Sequence, residues 1–187
     1  SPCALAVVLA SSVMLVRVLE EISVVNPSLL GSVLYAFVPM LAAGLVASAL
    51  FYRQGHQTRS NAEALELTNP FELDSAVKFG LLFGAVLLAT KAANLHFGQG
   101  GILLAAVLSG LTDMDAITLS MAEMAKEGLP HPVASTAIVA ACASNTLVKA
   151  SLAVALGGWA FGRRVARTFA LVLLSGAAGL ALLWLTS

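Results

Sequence analysis

Gly110-Leu111-Thr112-Asp113-Met114-Asp115-Ala116-Ile117-Thr118 lies inside an apolar run from Ile102 to Ala122 that is long enough to cross a bilayer. An ionised aspartate at membrane depth costs about 3 kcal/mol on insertion scales, so each acid in such a place is a functional hypothesis in need of a partner. Geometry adds a condition. In a continuous helix, residues two apart are turned by about 200° and face nearly opposite ways. In extended backbone they point the same way. Asp113 and Asp115 therefore share one site only if the helix breaks between them and Gly110, and glycine eases such a break. The spacing predicts two half-helices, 101–110 and 116–125, broken at Leu111–Asp115.

The rest of the chain reads as a frame around that segment. Of its 187 residues 59% are hydrophobic and 11% charged, and the apolar residues fall in long runs. This defines an all-α, polytopic helical membrane protein of five to six transmembrane segments, with the lipid bilayer as its first partner. A net charge of zero argues against a nucleic-acid partner. Cys3 and Cys142 sit in apolar runs and read as buried free thiols, with no zinc or disulfide spacing. The N-terminus lacks the basic region of a signal peptide. The chain reads as part of a longer protein.

The apolar runs span about 4–25, 28–51, 71–93, 102–122, 133–156 and 168–185. Asn26-Pro27 separates the first two, and Pro39 is a candidate kink in the second. Arg17 and Glu21, four apart, share a helix face and can neutralise each other. Residues 52–68 form an aqueous segment, and Asn69-Pro70 opens the third run. Lys78 and Lys91 lie near the ends of that run and can snorkel. His56, His96 and His131 stand in loops without ligand spacing and read as solvated.

Residues Ser12 to Arg17 echo Ser144 to Lys149, pairing a cation with a cation inside a span. If the echo reflects duplication, the single membrane domain 1–187 divides into the back half of a first repeat (1–52), an aqueous loop (53–68) and a second repeat (69–187). Chance similarity among apolar helices is the alternative. Loop charges bear on topology. If the aspartate segment enters and returns on one side, Arg53, Arg59, Arg163, Arg164 and Arg167 fall together, opposite Lys91 and Lys126, as the positive-inside rule favours. The repeats are then inverted. The length of the segment alone favours one crossing helix.

The candidate substrate or ion site comprises Asp113, Asp115, Thr112, Thr118, Asn145 and Lys149, with Arg17, Asn69 and Gly110 in supporting roles. Its oxygens suit a hard cation such as Mg²⁺, with Asp113 and Asp115 as the metal-ligating pair and no other cofactor implied. Asn145 and Lys149, four apart, share a face and are expected to reach the aspartates. A plainer arrangement has Asp115 as a helix N-cap and Asp113 paired with Lys149.

The segments Asn69-Pro70-Phe71-Glu72-Leu73, Ser109 to Ser120 and Ser144 to Ala150, followed by Gly162-Arg163-Arg164, resemble the MgtC/SapB family of bacterial inner-membrane proteins. More narrowly, they look like that family's C-terminal membrane domain of unknown function. The resemblance implies a multi-pass inner-membrane location. It also implies an upstream copy of the motif with small hydroxyl residues in place of the aspartates, so the chain looks N-terminally truncated against that pattern. A homo-oligomer or the missing half is then the expected partner. The family's link to magnesium belongs chiefly to another of its domains.

Three readings follow. The first is a transport or channel-like domain for a small ion, with a divalent cation favoured. The second is a non-transporting membrane regulator or scaffold. An intramembrane aspartyl hydrolase comes third, because it needs two facing carboxylates. The chain is expected not to be an enzyme.

Overall fold

A computed structural model describes residues 2–57 and 102–186. Asn69, Arg59, Lys78, Lys91, His96 and the third apolar run lie outside the described residues. Within them the chain is helical apart from short connections: α1 (Pro2–Val25), α2 (Pro27–Gln57), α3 (Ile102–Gly110), α4 (Asp115–Lys126) and α5 (His131–Thr186). Three of these, α1, α2 and α5, are long and apolar enough to span a membrane.

The turn between α1 and α2 is built by Asn26. A residue before proline is disfavoured in helical conformation, while proline at the first helical position loses no needed N–H. The Asn26 side chain completes the turn by accepting from Ser28 Oγ (2.6 Å) and donating to the Ala122 carbonyl of α4 (3.0 Å). Helix α2 then continues through Pro39 and on to Gln57, further than the hydropathy predicts.

Helix α5 is a hairpin. Gly158, at φ 77° and ψ 165°, takes the left-handed region where only glycine avoids a Cβ clash, and limb 159–186 folds back beside limb 131–157. Trp184 near the end of the second limb donates its indole N–H to Thr136 Oγ1 near the start of the first (3.1 Å). The second limb also packs on α2, where Gly179 meets the Tyr35 carbonyl. Arg163, Arg164 and Arg167, expected in a loop, are the exposed face of this limb's first turns.

Helical spacing explains the core. Leu15, Val18 and Ile22 of α1 and Leu29, Val33, Phe37 and Met40 of α2 recur at three- and four-residue intervals and are buried. They pack with Met114, Ile117 and Met121 around α4, and with Ala134, Ile138 and Ala141 of α5. A second cluster joins Ala4 and Val8 to Ala153, Val165 and Phe169 beside the Gly158 turn. The outward faces are apolar as well: Val13, Val24, Leu45, Leu171, Leu174 and Leu182 are all exposed. Helices apolar all round suit a hydrocarbon surrounding.

These contacts fix direction. One end of the bundle holds Asn26, the 127–130 connection and Trp184. The other holds the Gly158 turn and the start of α1. Helices α1 and α2 join at the first end and the two limbs of α5 at the second, so the two pairs run oppositely.

Candidate functional site

The helix breaks between Gly110 and Asp115. At 1.5 Å per residue, α3 with nine residues is about 14 Å long and α4 with twelve about 18 Å. Each is short of the roughly 30 Å hydrocarbon core. Leu103 near the start of α3 lines a groove with Thr136, Val139 and Leu180, at the Asn26 end of the bundle. The end of α3 reaches Ala141, whose carbonyl would collide with any Cβ placed on Gly110. Helix α4 then returns to that same end, where its Ala122 carbonyl meets Asn26. The two short helices thus form a V with its apex about halfway along limb 131–157.

The apex is closed locally. Thr112 Oγ1 and Asp113 N–H both donate to the Ser109 carbonyl (2.9 Å each), and the Asp115 N–H donates to Asp113 Oδ1 (3.0 Å). This last contact is the turn that an aspartate side chain commonly makes with a backbone two residues on. Asp113, itself exposed, therefore covers the first free N–H of α4 from the residue before the N-cap, Met114. Asp115 occupies the first turn of α4, where a carboxylate is favoured by the helix dipole.

The cation facing Asp115 is Arg17 of α1. Its Nη2 donates to Asp115 Oδ2, and its Nε donates to Glu21 Oε1 at 3.3 Å. One guanidinium thus joins two carboxylates from different helices. Arg17, expected in a supporting role, stands at the centre. Glu21 is a third acid that the sequence-based site omitted, although its four-residue spacing from Arg17 is the signal that finds it. The outer oxygen of Glu21, Oε2, is buried with no donor.

Asn145 donates Nδ2 to the Gly110 carbonyl (3.1 Å), satisfying the end of α3 as its position predicts, and its buried Oδ1 has no partner. Lys149 corrects the expectation of a second contact to the aspartates: its Nζ lies 2.9 Å from Met14 Sδ, and its charge makes no ion pair among the described residues. The plainer arrangement is corrected too, because Asp113 covers the first N–H of α4 and Arg17 takes the pairing role. Thr118 is fully buried, with Oγ1 unpartnered. Among the described residues no group of three or more His, Cys, Asp or Glu could hold a metal. Cys142 is buried as expected, whereas Cys3 is exposed.

The arrangement defines a class: a helical bundle with three helices long and apolar enough to span a membrane, and a helix interrupted about halfway along it beside a three-residue charge cluster. The chain belongs to the family described as "Domain of unknown function (DUF4010)", which matches residues 1–157. It is similar to an "Uncharacterized protein" of Aquifex aeolicus (strain VF5), with 29% identity over 152 residues, covering 81% of this chain and 66% of that protein. No solved structure matches.

Proposed function

We propose that this chain is a multi-pass domain of the bacterial inner membrane that passes a small cation through the gap between α3 and α4, with Asp115 as the principal ligand and Asp113 beside it. In this reading α1, α2 and both limbs of α5 cross the bilayer, and α3–α4 enters and returns from one side. Arg53, Arg163, Arg164 and Arg167 then share the cytoplasmic side by the positive-inside rule. Helices interrupted at the midplane, with free termini aimed at an ion, are the recurrent architecture of ion-coupled transporters, often built as inverted repeats. The opposite directions of α1–α2 and the α5 hairpin support that comparison.

One observation carries the reading: Asp115 meets Arg17 of another helix at the apex of two helices too short to cross. The cation fits a hydrated Mg²⁺ held by one or two carboxylates, a common mode for that ion, better than a dehydrated ion in a cage. A homo-oligomer or a further repeat would complete the walls. The MgtC/SapB resemblance is compatible with this reading but does not identify the solute. The test is Mg²⁺ flux into proteoliposomes carrying an internal indicator. The reading expects flux in the wild type and little in Asp115→Asn, and equal flux in both would overturn it.

A second reading, a non-transporting membrane regulator or scaffold, is favoured by the fact that Asp115 is already neutralised by Arg17. The contacts of Asn26 and Asn145 to helix carbonyls would then be interhelical glue, worth about 0.6 kcal/mol each on average. Absence of flux for Mg²⁺, Ca²⁺, Mn²⁺ and Na⁺ alike, with the protein folded, would favour it. We do not propose a hydrolytic role, since neither aspartate faces the other with a free carboxyl: one accepts a backbone N–H and the other binds a guanidinium.

A further inference from the structure

We propose that Arg17 is a tethered competitor: its guanidinium occupies the Glu21 and Asp115 carboxylates and must leave before a solute cation binds there. The inference deepens the cation-site reading and rests on it.

Three features of the contact lead to it. First, Arg17 bridges two acids on different helices, so it holds the place a bound cation would hold. Second, it does not saturate them. Glu21 Oε2 is buried without a donor, leaving acceptor capacity that a cation could use. Third, the Arg17 side chain is 64% exposed. It is not locked in by packing, and an exposed ion pair is weakly held. A guanidinium at mid-depth that the described residues leave uncovered must face water or other protein, and water would give it somewhere to withdraw. Lys149 cannot take over the pairing from its present position, because its ammonium lies against Met14. With Arg17 withdrawn, Glu21 and Asp115 would be left as two carboxylates without a counter-charge. With it in place, only a cation able to compete with a guanidinium enters. Loading would therefore release the side-chain tie between α1 and α4.

The test is the thermal stability of purified protein titrated with MgCl₂, with NaCl as the ionic-strength control, because a ligand that binds only the folded state raises its stability. Arg17→Gln is expected to respond at about tenfold or more lower Mg²⁺ than the wild type, within the ordinary range for coupled sites. The double variant Arg17→Gln/Asp115→Asn is expected to lose that gain. Arg17→Lys keeps the charge but not the two-pronged fork, so it should fall between the wild type and Arg17→Gln. This milder variant also carries the test if Arg17→Gln does not fold. The same Mg²⁺ response in wild type and Arg17 variants, including none in any of them, would overturn the proposal. So would a gain that survives Asp115→Asn. Flux measured on the same proteins separates the two readings: a competitor signature without wild-type flux would remove transport and leave the competitor role of Arg17 standing.

Discussion

Arg17 of α1 and Asp115 of α4, 98 positions apart, are joined side chain to side chain. This contact ties the interrupted segment to the N-terminal helix pair. Asp115→Asn should leave the bundle folded, because Arg17 keeps Glu21 and an exposed pair contributes only about 0–1 kcal/mol. If the transport reading holds, the same variant loses flux. The measurement is thermal unfolding beside proteoliposome flux. Unfolding of the variant would show instead that the pair is chiefly structural.

Asn26 uses both ends of its amide, toward Ser28 and toward Ala122, and is 4% exposed. Asn26→Ala should cost about 1–3 kcal/mol, the usual penalty for leaving a buried polar group without its partner. Asn26→Asp should not restore the lost bond, since a carboxylate cannot donate to the Ala122 carbonyl. A melting temperature unchanged in Asn26→Ala would show that α4 is not held through this contact.

Gly158 turns α5 back on itself at φ 77°. Gly158→Ala should destabilise by about 1–3 kcal/mol, the cost of holding a residue with a Cβ in a backbone region that is essentially glycine's alone. Nothing crowds the position, so the penalty should come from the backbone alone. Asn, whose tolerance of positive φ is confined to ψ near +45°, should cost about as much as Ala. Equal stability of all three proteins would mean that the turn can rearrange without strain.

The interruption at 111–114 was legible in the sequence because two acids and two threonines stand where an apolar helix should continue. Sequence boundaries of 101–110 and 116–125 differ from Ile102–Gly110 and Asp115–Lys126 by one residue at each end that differs. The α5 hairpin was only half legible. The gap between the apolar runs ending at 156 and starting at 168 signalled a connection, but the arginines in it suggested a longer aqueous loop than the single non-helical residue found. The choice of Arg17 over Lys149 as the partner of Asp115 was not legible. Both cations occupy matching places in the Ser12–Arg17 and Ser144–Lys149 echo, and which one faces α4 depends on helix rotation, which hydropathy does not encode. The Asn26 contact to Ala122 was hidden for a different reason: its acceptor is a backbone carbonyl, which every residue offers.

The direction of the α3–α4 hairpin makes a prediction about sidedness. Lys126 ends α4 beside the connection to α5, and it is exposed, with its ammonium 3.1 Å from Glu123. Arg164 is exposed near the Gly158 turn, at the opposite end of the bundle. In a membrane the two must therefore lie on opposite sides, and the arginine-rich side should be cytoplasmic. A background in which Cys3 and Cys142 are replaced by Ala allows single cysteines at 126 and 164 to be labelled with a membrane-impermeant maleimide. Lys126→Cys is expected to label on intact cells from outside, and Arg164→Cys only on inverted vesicles. A third variant, Ile102→Cys at the start of α3, tests the return itself: it is expected to label from the same side as Lys126→Cys, and labelling only from the opposite side would show that α3–α4 crosses. That outcome would overturn the return of α4 to the side from which α3 enters, and with it the midplane placement of Asp115 on which the cation reading depends.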